Sequence, residues 1–181
     1  CLTVCHELNV RMIKISREKI DDSYEIEVLL DLVFGLGRET LSSYRFRDGI
    51  ERINDLSYVL RDDFAVLVGV IRFWPVLLGD QRLPALLLGP LGVHPTRQGE
   101  GLGELLIRAS LNKAIKLGWK RVILIGDAAY YTRFGFSRKS VNKLYLEDKV
   151  NSGRLLGREL VFGSMKYLEG PVLRFIEKKE N

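Results

Sequence analysis

Cysteine, histidine, methionine and tryptophan occur only twice each in the 181 residues, and proline five times. The two cysteines, Cys1 and Cys5, stand close together at the start of the chain. No disulfide framework is therefore available, and that usage fits a reducing cytoplasm. Cys1, Cys5 and His6 make at most three metal ligands, whereas a structural zinc site takes four on a fixed scaffold. No metal is expected. Long apolar runs are missing too: the stretch Phe64-Ala-Val-Leu-Val-Gly-Val-Ile71 is too short to cross a bilayer. No basic segment leads into a sustained apolar run, so no secretory signal is read and the expected setting is cytoplasmic, away from membranes. The chain opens on Cys1, and residues 1–9 read as a disordered leader with Met12 as a candidate natural start.

What is present suits a globular fold. Residues 10–181 read as one domain, 46% hydrophobic and 28% charged, long enough to bury a core. The net charge of +5 and pI near 9.2 favour anionic partners. However, the basic residues are interleaved with acidic ones instead of forming a stripe, which disfavours a nucleic-acid binder. The local excess at Arg133, Arg138, Lys139 and Lys143 suits a phosphorylated cofactor equally well.

Periodicity divides the chain into alternating elements. Residues 10–15 read as a strand. Over residues 18–34, Ile20, Tyr24, Val28 and Leu32 recur at four-residue spacing, which predicts an amphipathic helix with that stripe inward. Ser16 would cap it, and Gly35-Leu36-Gly37 would end it. Residues 56–60 and 64–73 read as strands joined in a hairpin by Arg61-Asp62-Asp63. Pro75 should end regular pairing or confine it to an edge, since proline has no N–H to donate. After a turn at 79–82, residues 85–93 form a long apolar strand interrupted by Gly89-Pro90. The clearest helix covers 101–117, with Leu102, Leu105, Leu106 and Ala109 on one face and Gly118 as its stop. A buried strand at 121–125 follows, then a short helix at 128–134 closed by Gly135. Strand, helix, strand implies a right-handed crossover between parallel strands. Weaker strands are read at 143–146 and 159–162. The fold class is α/β.

The chemistry concentrates in Val93-His94-Pro95-Thr96-Arg97-Gln98-Gly99-Glu100-Gly101-Leu102-Gly103, between that strand and that helix. A helix N-terminus presents unpaired N–H groups and partial positive charge, which together attract an anion. Alternating glycines remove Cβ atoms that would keep a diphosphate from those amides, and Arg97 would add charge at the rim. A loop that needs glycine only for turning is the plainer alternative. No Gly-Lys-Ser/Thr follows, so this is not a Walker-type cradle, and the glycine spacing is not that of dinucleotide-binding folds.

Gln98-x-x-Gly101-x-Gly103, preceded by Val93-x-Pro95 and followed by an amphipathic helix, resembles the acyl-CoA pyrophosphate motif of GNAT-superfamily N-acetyltransferases. Tyr130-Tyr131-Thr132-Arg133-Phe134-Gly135-Phe136 is similar to the second motif of that family, with a tyrosine four residues before Gly-Phe. Upstream, Phe34-Gly35-Leu36-Gly37-Arg38 and Tyr44-x-x-Arg47 are similar to a bacterial branch of predicted N-acetyltransferases. The strong resemblance covers about a third of the chain. It implies the GNAT fold, a mixed central sheet flanked by helices with one parallel βαβ cofactor unit, and acetyl-CoA (coenzyme A) as co-substrate without a metal. It also implies roles. Leu91, Gly92 and Val93 would offer main-chain groups to the pantetheine arm, and the amides of Gln98, Gly99, Glu100, Gly101, Leu102 and Gly103 would hold the pyrophosphate. Asp127 would lie near the pantetheine or cap a helix. Tyr131 would be the acid that protonates the departing thiolate, with Tyr130 as the alternative.

The implied reaction is direct attack by a primary amine of a small-molecule or protein acceptor, and the resemblance leaves room for a homodimer. The base is open: His94 is one candidate, although a histidine at a strand end is more often a solvated or packing residue, and Glu25 and Glu27 border the same region, where acidic residues on a helix are usually a solvated face. A non-catalytic acyl-CoA sensor is the competing function, and a nucleic-acid-associated protein a third.

Overall fold

The computed structural model describes residues 2–4 (backbone only), 12–38, 43–148 and 151–176. The chain divides into two compact units. The first holds Cys1–Thr40, Ile53–Phe73 and Gly89–Ala114; the second holds Leu41–Arg52, Trp74–Leu88 and Ile115–Asn181.

In the first unit, β1 (Leu2–Val4), β2 (Ile13–Arg17), β3 (Tyr58–Arg61) and the start of β4 (Leu67–Leu78) pair antiparallel in chain order. The last part of β5 (Leu83–Val93) belongs here as well. Within the expected leader, Leu2–Val4 form β1, while Cys1, Cys5 and His6 lie outside the described residues. Ser16 lies inside β2 and caps nothing. The chain turns through residues Ile20–Asp22, where the Lys19 N–H donates to Asp22 Oδ2 at 2.7 Å.

Helix α1 (Ser23–Phe34) forms as expected and ends at Gly35, whose φ is +82°. Its buried face is not the expected one. Ile20, Tyr24, Val28 and Leu32 are 87%, 80%, 50% and 54% exposed, whereas Ile26, Leu29 and Leu30 are buried against Val59, Leu67 and Val70. The reason is geometric. A four-residue spacing drifts by about 40° per step around a helix of 3.6 residues per turn. Ile26, Leu29, Leu30 and Val33 follow i, i+3, i+4, i+7 and stay on one side. Arginines on the sheet then fix the choice: Arg61 pairs with Asp22 at 2.6 Å and Glu25 at 2.9 Å, and Arg72 with Glu18 at 2.8 Å.

In the second unit, β5 pairs parallel with β6 (Arg121–Ile125) in the register Leu86↔Val122, as the crossover through α2 (Leu102–Lys116) requires. β8 (Leu155–Glu159) runs antiparallel to β6, and β9 (Gly170–Arg174) pairs with the end of β4 and with β7 (Leu144–Tyr145). The core there includes Phe46, Leu78, Leu87, Ile123, Val141 and Leu155.

β4 runs on through Pro75, and as expected regular pairing on that side is interrupted there: the proline lies between Ile71, the last partner of β3, and Val76, the first partner of β9, where no ladder bond to those strands needs its nitrogen. The strand expected at 159–162 instead spans Leu155–Glu159, and the N–H groups of Leu160 and Val161 both turn to the Lys120 carbonyl at 2.8 and 3.2 Å. β5 runs unbroken through Gly89-Pro90. The architecture is a mixed sheet with flanking helices.

Candidate active site

In the first unit, the end of β5 carries Leu91, Gly92 and Val93 toward the loop. A Cβ on Gly92 would come within 3.3 Å of Leu30 Cδ2, so glycine lets α1 pack closely on this strand. His94 donates its N–H to the Val68 carbonyl at 2.8 Å, and its Nδ1 accepts from Thr96 N at 3.2 Å. That nitrogen caps the turn Pro95–Arg97.

Beyond the turn, Gly99 and Gly101 take φ of +86° and +78°. A Cβ at either would meet nothing within 4 Å, so glycine is demanded by backbone angle and not by crowding. α2 begins immediately, with its first bond from Leu105 N to Gly101 O at 3.1 Å. The N–H groups ahead of that bond have no partner within the helix. Gln98, Gly99, Glu100, Gly101, Leu102 and Gly103 are thus held together at the positive end of a 15-residue helix.

Arg97 is corrected. It does not stand at the rim but is buried, with its Nε 2.5 Å from Glu100 Oε2 and its Nη1 3.7 Å from Asp62 Oδ2. Asp62 in turn accepts from the N–H groups of Phe64 and Val66 at 2.9 and 3.0 Å. The guanidinium therefore ties the loop to the β3–β4 hairpin. The hydrogen bond to Glu100 outweighs burial and holds its pKa above the usual arginine value.

In the second unit, β6 leads into Gly126, and Asp127 caps the short helix α3 (Ala128–Tyr131) by accepting from Ala129 N at 3.0 Å. The chain continues through the turn Thr132–Phe134 to Gly135, at φ +83°. The Tyr131 ring meets Tyr130 edge-on at 4.9 Å and Phe136 at 6.0 Å. Burial, with a smaller contribution from Tyr130, pushes the Tyr131 phenol up to about 12. Tyr130 differs in that Arg133 lies over its ring at 4.8 Å.

Sequence reasoning missed Gly126. A Cβ there would lie 2.7 Å from Tyr131 Cε2, so its absence makes the space in which that ring sits. The available signal was a glycine directly after a buried strand and before a capping aspartate. The Arg97–Asp62 link was missed because the residues stand 35 positions apart and neither belongs to a periodic element.

Comparison with known proteins agrees with this geometry. Residues 54–138 match the family model described as an acetyltransferase (GNAT) domain. The crystal structure of the GNAT-family N-acetyltransferase YhbS from Escherichia coli, solved in complex with CoA, superposes with a TM-score of 0.80 over 94% of both chains at 24% identity. The chain has the fold of the GNAT superfamily. A GNAT acetyltransferase from Brucella melitensis, solved with acetyl-CoA, gives a TM-score of 0.66 at 28% identity, covering 90% of this chain and 96% of that one. By sequence, uncharacterised YhbS of Escherichia coli K12 is 33% identical over 81 residues, 45% of this chain and 48% of that protein. The alignment thus spans about half the length of this curated relative. Among the described residues, no helix is long and apolar enough to cross a membrane.

Proposed function

We propose that the chain is an acetyl-CoA-dependent N-acetyltransferase that moves an acetyl group to a primary amine by direct attack. The observation that carries this reading is the loop at 98–103, where left-handed glycines lead into the N-terminus of α2. Its unpaired amides suit the pyrophosphate of coenzyme A. The solved complexes of related proteins with CoA and acetyl-CoA support that choice of anion. Leu91, Gly92 and Val93 offer main-chain groups to the pantetheine arm, and Asp127 combines its cap with a polar contact to the same arm.

In the reaction, the neutral amine nitrogen forms a bond to the thioester carbonyl carbon. The carbon–sulfur bond breaks, and the departing thiolate takes the Tyr131 phenolic proton; the nitrogen releases one proton to water, and the phenolate regains one from water. A phenol held at about 12 is fully protonated at neutral pH, as an acid in this role must be. The test is CoA release from acetyl-CoA across a panel of amines and lysine peptides. Release that depends on one class of amine supports the reading. Tight acetyl-CoA binding with no release on any amine would leave a sensor instead.

A further inference from the structure

The second unit contains a cavity of about 240 Å³ that shares no residue with the loop at 98–103. Four separate stretches of chain meet around it: the turn Tyr44–Phe46, the β4–β5 turn, the segment after β7, and β9 with the residues just beyond. Among the described residues, Arg45, Arg82 and Arg174 stand on its wall with one carboxylate, Glu147, while Phe46, Val172, Leu173 and Ile176 give it apolar surface.

That carboxylate is already used, since Glu147 Oε2 accepts from Arg45 Nη1 at 3.2 Å. Arg174 donates to the Asp48 main-chain carbonyl, which carries no formal charge. Arg82 has no side-chain hydrogen bond or ion pair among the described residues. Two guanidiniums on one small concave surface are thus left without a counter-charge among the described residues. Two further features set the place apart from a solvated basic surface. The Arg45 Nε is buried and has no acceptor among the described residues, which is uncommon for a buried donor. Arg82 is held at φ +53°, a left-handed conformation that costs a non-glycine residue about 1–2 kcal/mol. A glycine would relieve that strain, yet an arginine stands there.

We propose that this cavity binds a small organic anion, a carboxylate or phosphate group on a short apolar body, held by Arg82 and Arg174. A planar guanidinium donates in pairs to such oxyanions, and the apolar surface takes the remainder of the molecule. The volume suits a small metabolite more than a nucleotide. The inference is independent of the acetyltransferase reading.

Titration calorimetry of the full chain with inorganic phosphate, and separately with 4-phenylbutyrate, tests it. Saturable binding of at least one is expected, weakened about tenfold or more by Arg82→Gly and by Arg174→Gln. Arg82→Gly should melt at the same or a higher temperature, because it removes the strained side chain, so lost binding cannot be ascribed to unfolding. Tighter binding of phosphate points to a phosphate ester, and tighter binding of 4-phenylbutyrate to a carboxylate. No saturable binding of either probe overturns the proposal. So does phosphate binding that Arg82→Gly leaves unchanged, which would place the anion at the loop.

Discussion

Tyr131 and Gly126 act as a pair at the level of single residues. Tyr131→Phe keeps the ring and its packing but removes the proton, so kcat should fall by about 10²-fold or more with KM for acetyl-CoA little changed. Steady-state kinetics on a responsive amine would show it; equal kcat would exclude Tyr131 as the acid. Gly126→Ala places a methyl 2.7 Å from the Tyr131 ring carbon, so the ring must shift. It should lower kcat in the same direction while leaving acetyl-CoA affinity near wild type, and unchanged turnover would show that the position of the ring does not matter. The phenol also has a pH signature. Its folded value, about 12, lies above the ordinary 10, so the folded state holds the proton more tightly. That contribution to stability is complete below pH 10 and is lost as pH rises from there through 12. Across the usual assay range this group should produce no alkaline fall in rate.

Among the elements, the strand–loop–helix unit is where sequence was most legible. The helix, the parallel partner strand and the loop glycines all appeared because periodicity and glycine act locally. What stayed hidden depended on contacts distant in sequence. The inward face of α1 was misread because two apolar stripes compete there, and Arg61 and Arg72, which arbitrate, come from strands far along the chain. β9 escaped because its Gly170-Pro171 opening disguises a strand that exists only by pairing with its neighbours, β4 among them. Arg97 read as a surface cation because its partners, Asp62 and Glu100, stand in loops. The buried pair implies that Arg97→Ala costs about 2–3 kcal/mol, reduced from the fully buried case because Glu100 is half-exposed. Urea unfolding measures that cost. The same variant should raise KM for acetyl-CoA more than it changes kcat, since it loosens the loop and not the reacting groups. A variant as stable as wild type would show that the tie to the hairpin carries no energy.

For the molecule as a whole, acid response is set by the ion pairs that seat α1 on the sheet. Burial would raise the Asp22 carboxyl, but hydrogen bonds from the Lys19 main chain and Arg61 outweigh it and hold it below its ordinary 3.8. The Arg61 hydrogen bond likewise holds Glu25 below 4.5. Depressed carboxylates stabilise the fold above their unfolded values, and that contribution is lost as pH falls through the folded ones. The stability difference between wild type and Arg61→Met should therefore be largest near neutrality and shrink below about pH 4. A difference independent of pH would mean the pairs add packing alone.

If the loop at 98–103 holds the acetyl donor, calorimetric titration of acetyl-CoA into wild type and Gly101→Val will separate the two proteins. Wild type should bind one acetyl-CoA per chain. The variant, with a β-branched residue at φ +78°, should remain folded and bind about tenfold more weakly or worse. Equal affinity in the two proteins, or no binding by folded wild type, would contradict the assignment of the loop to the donor.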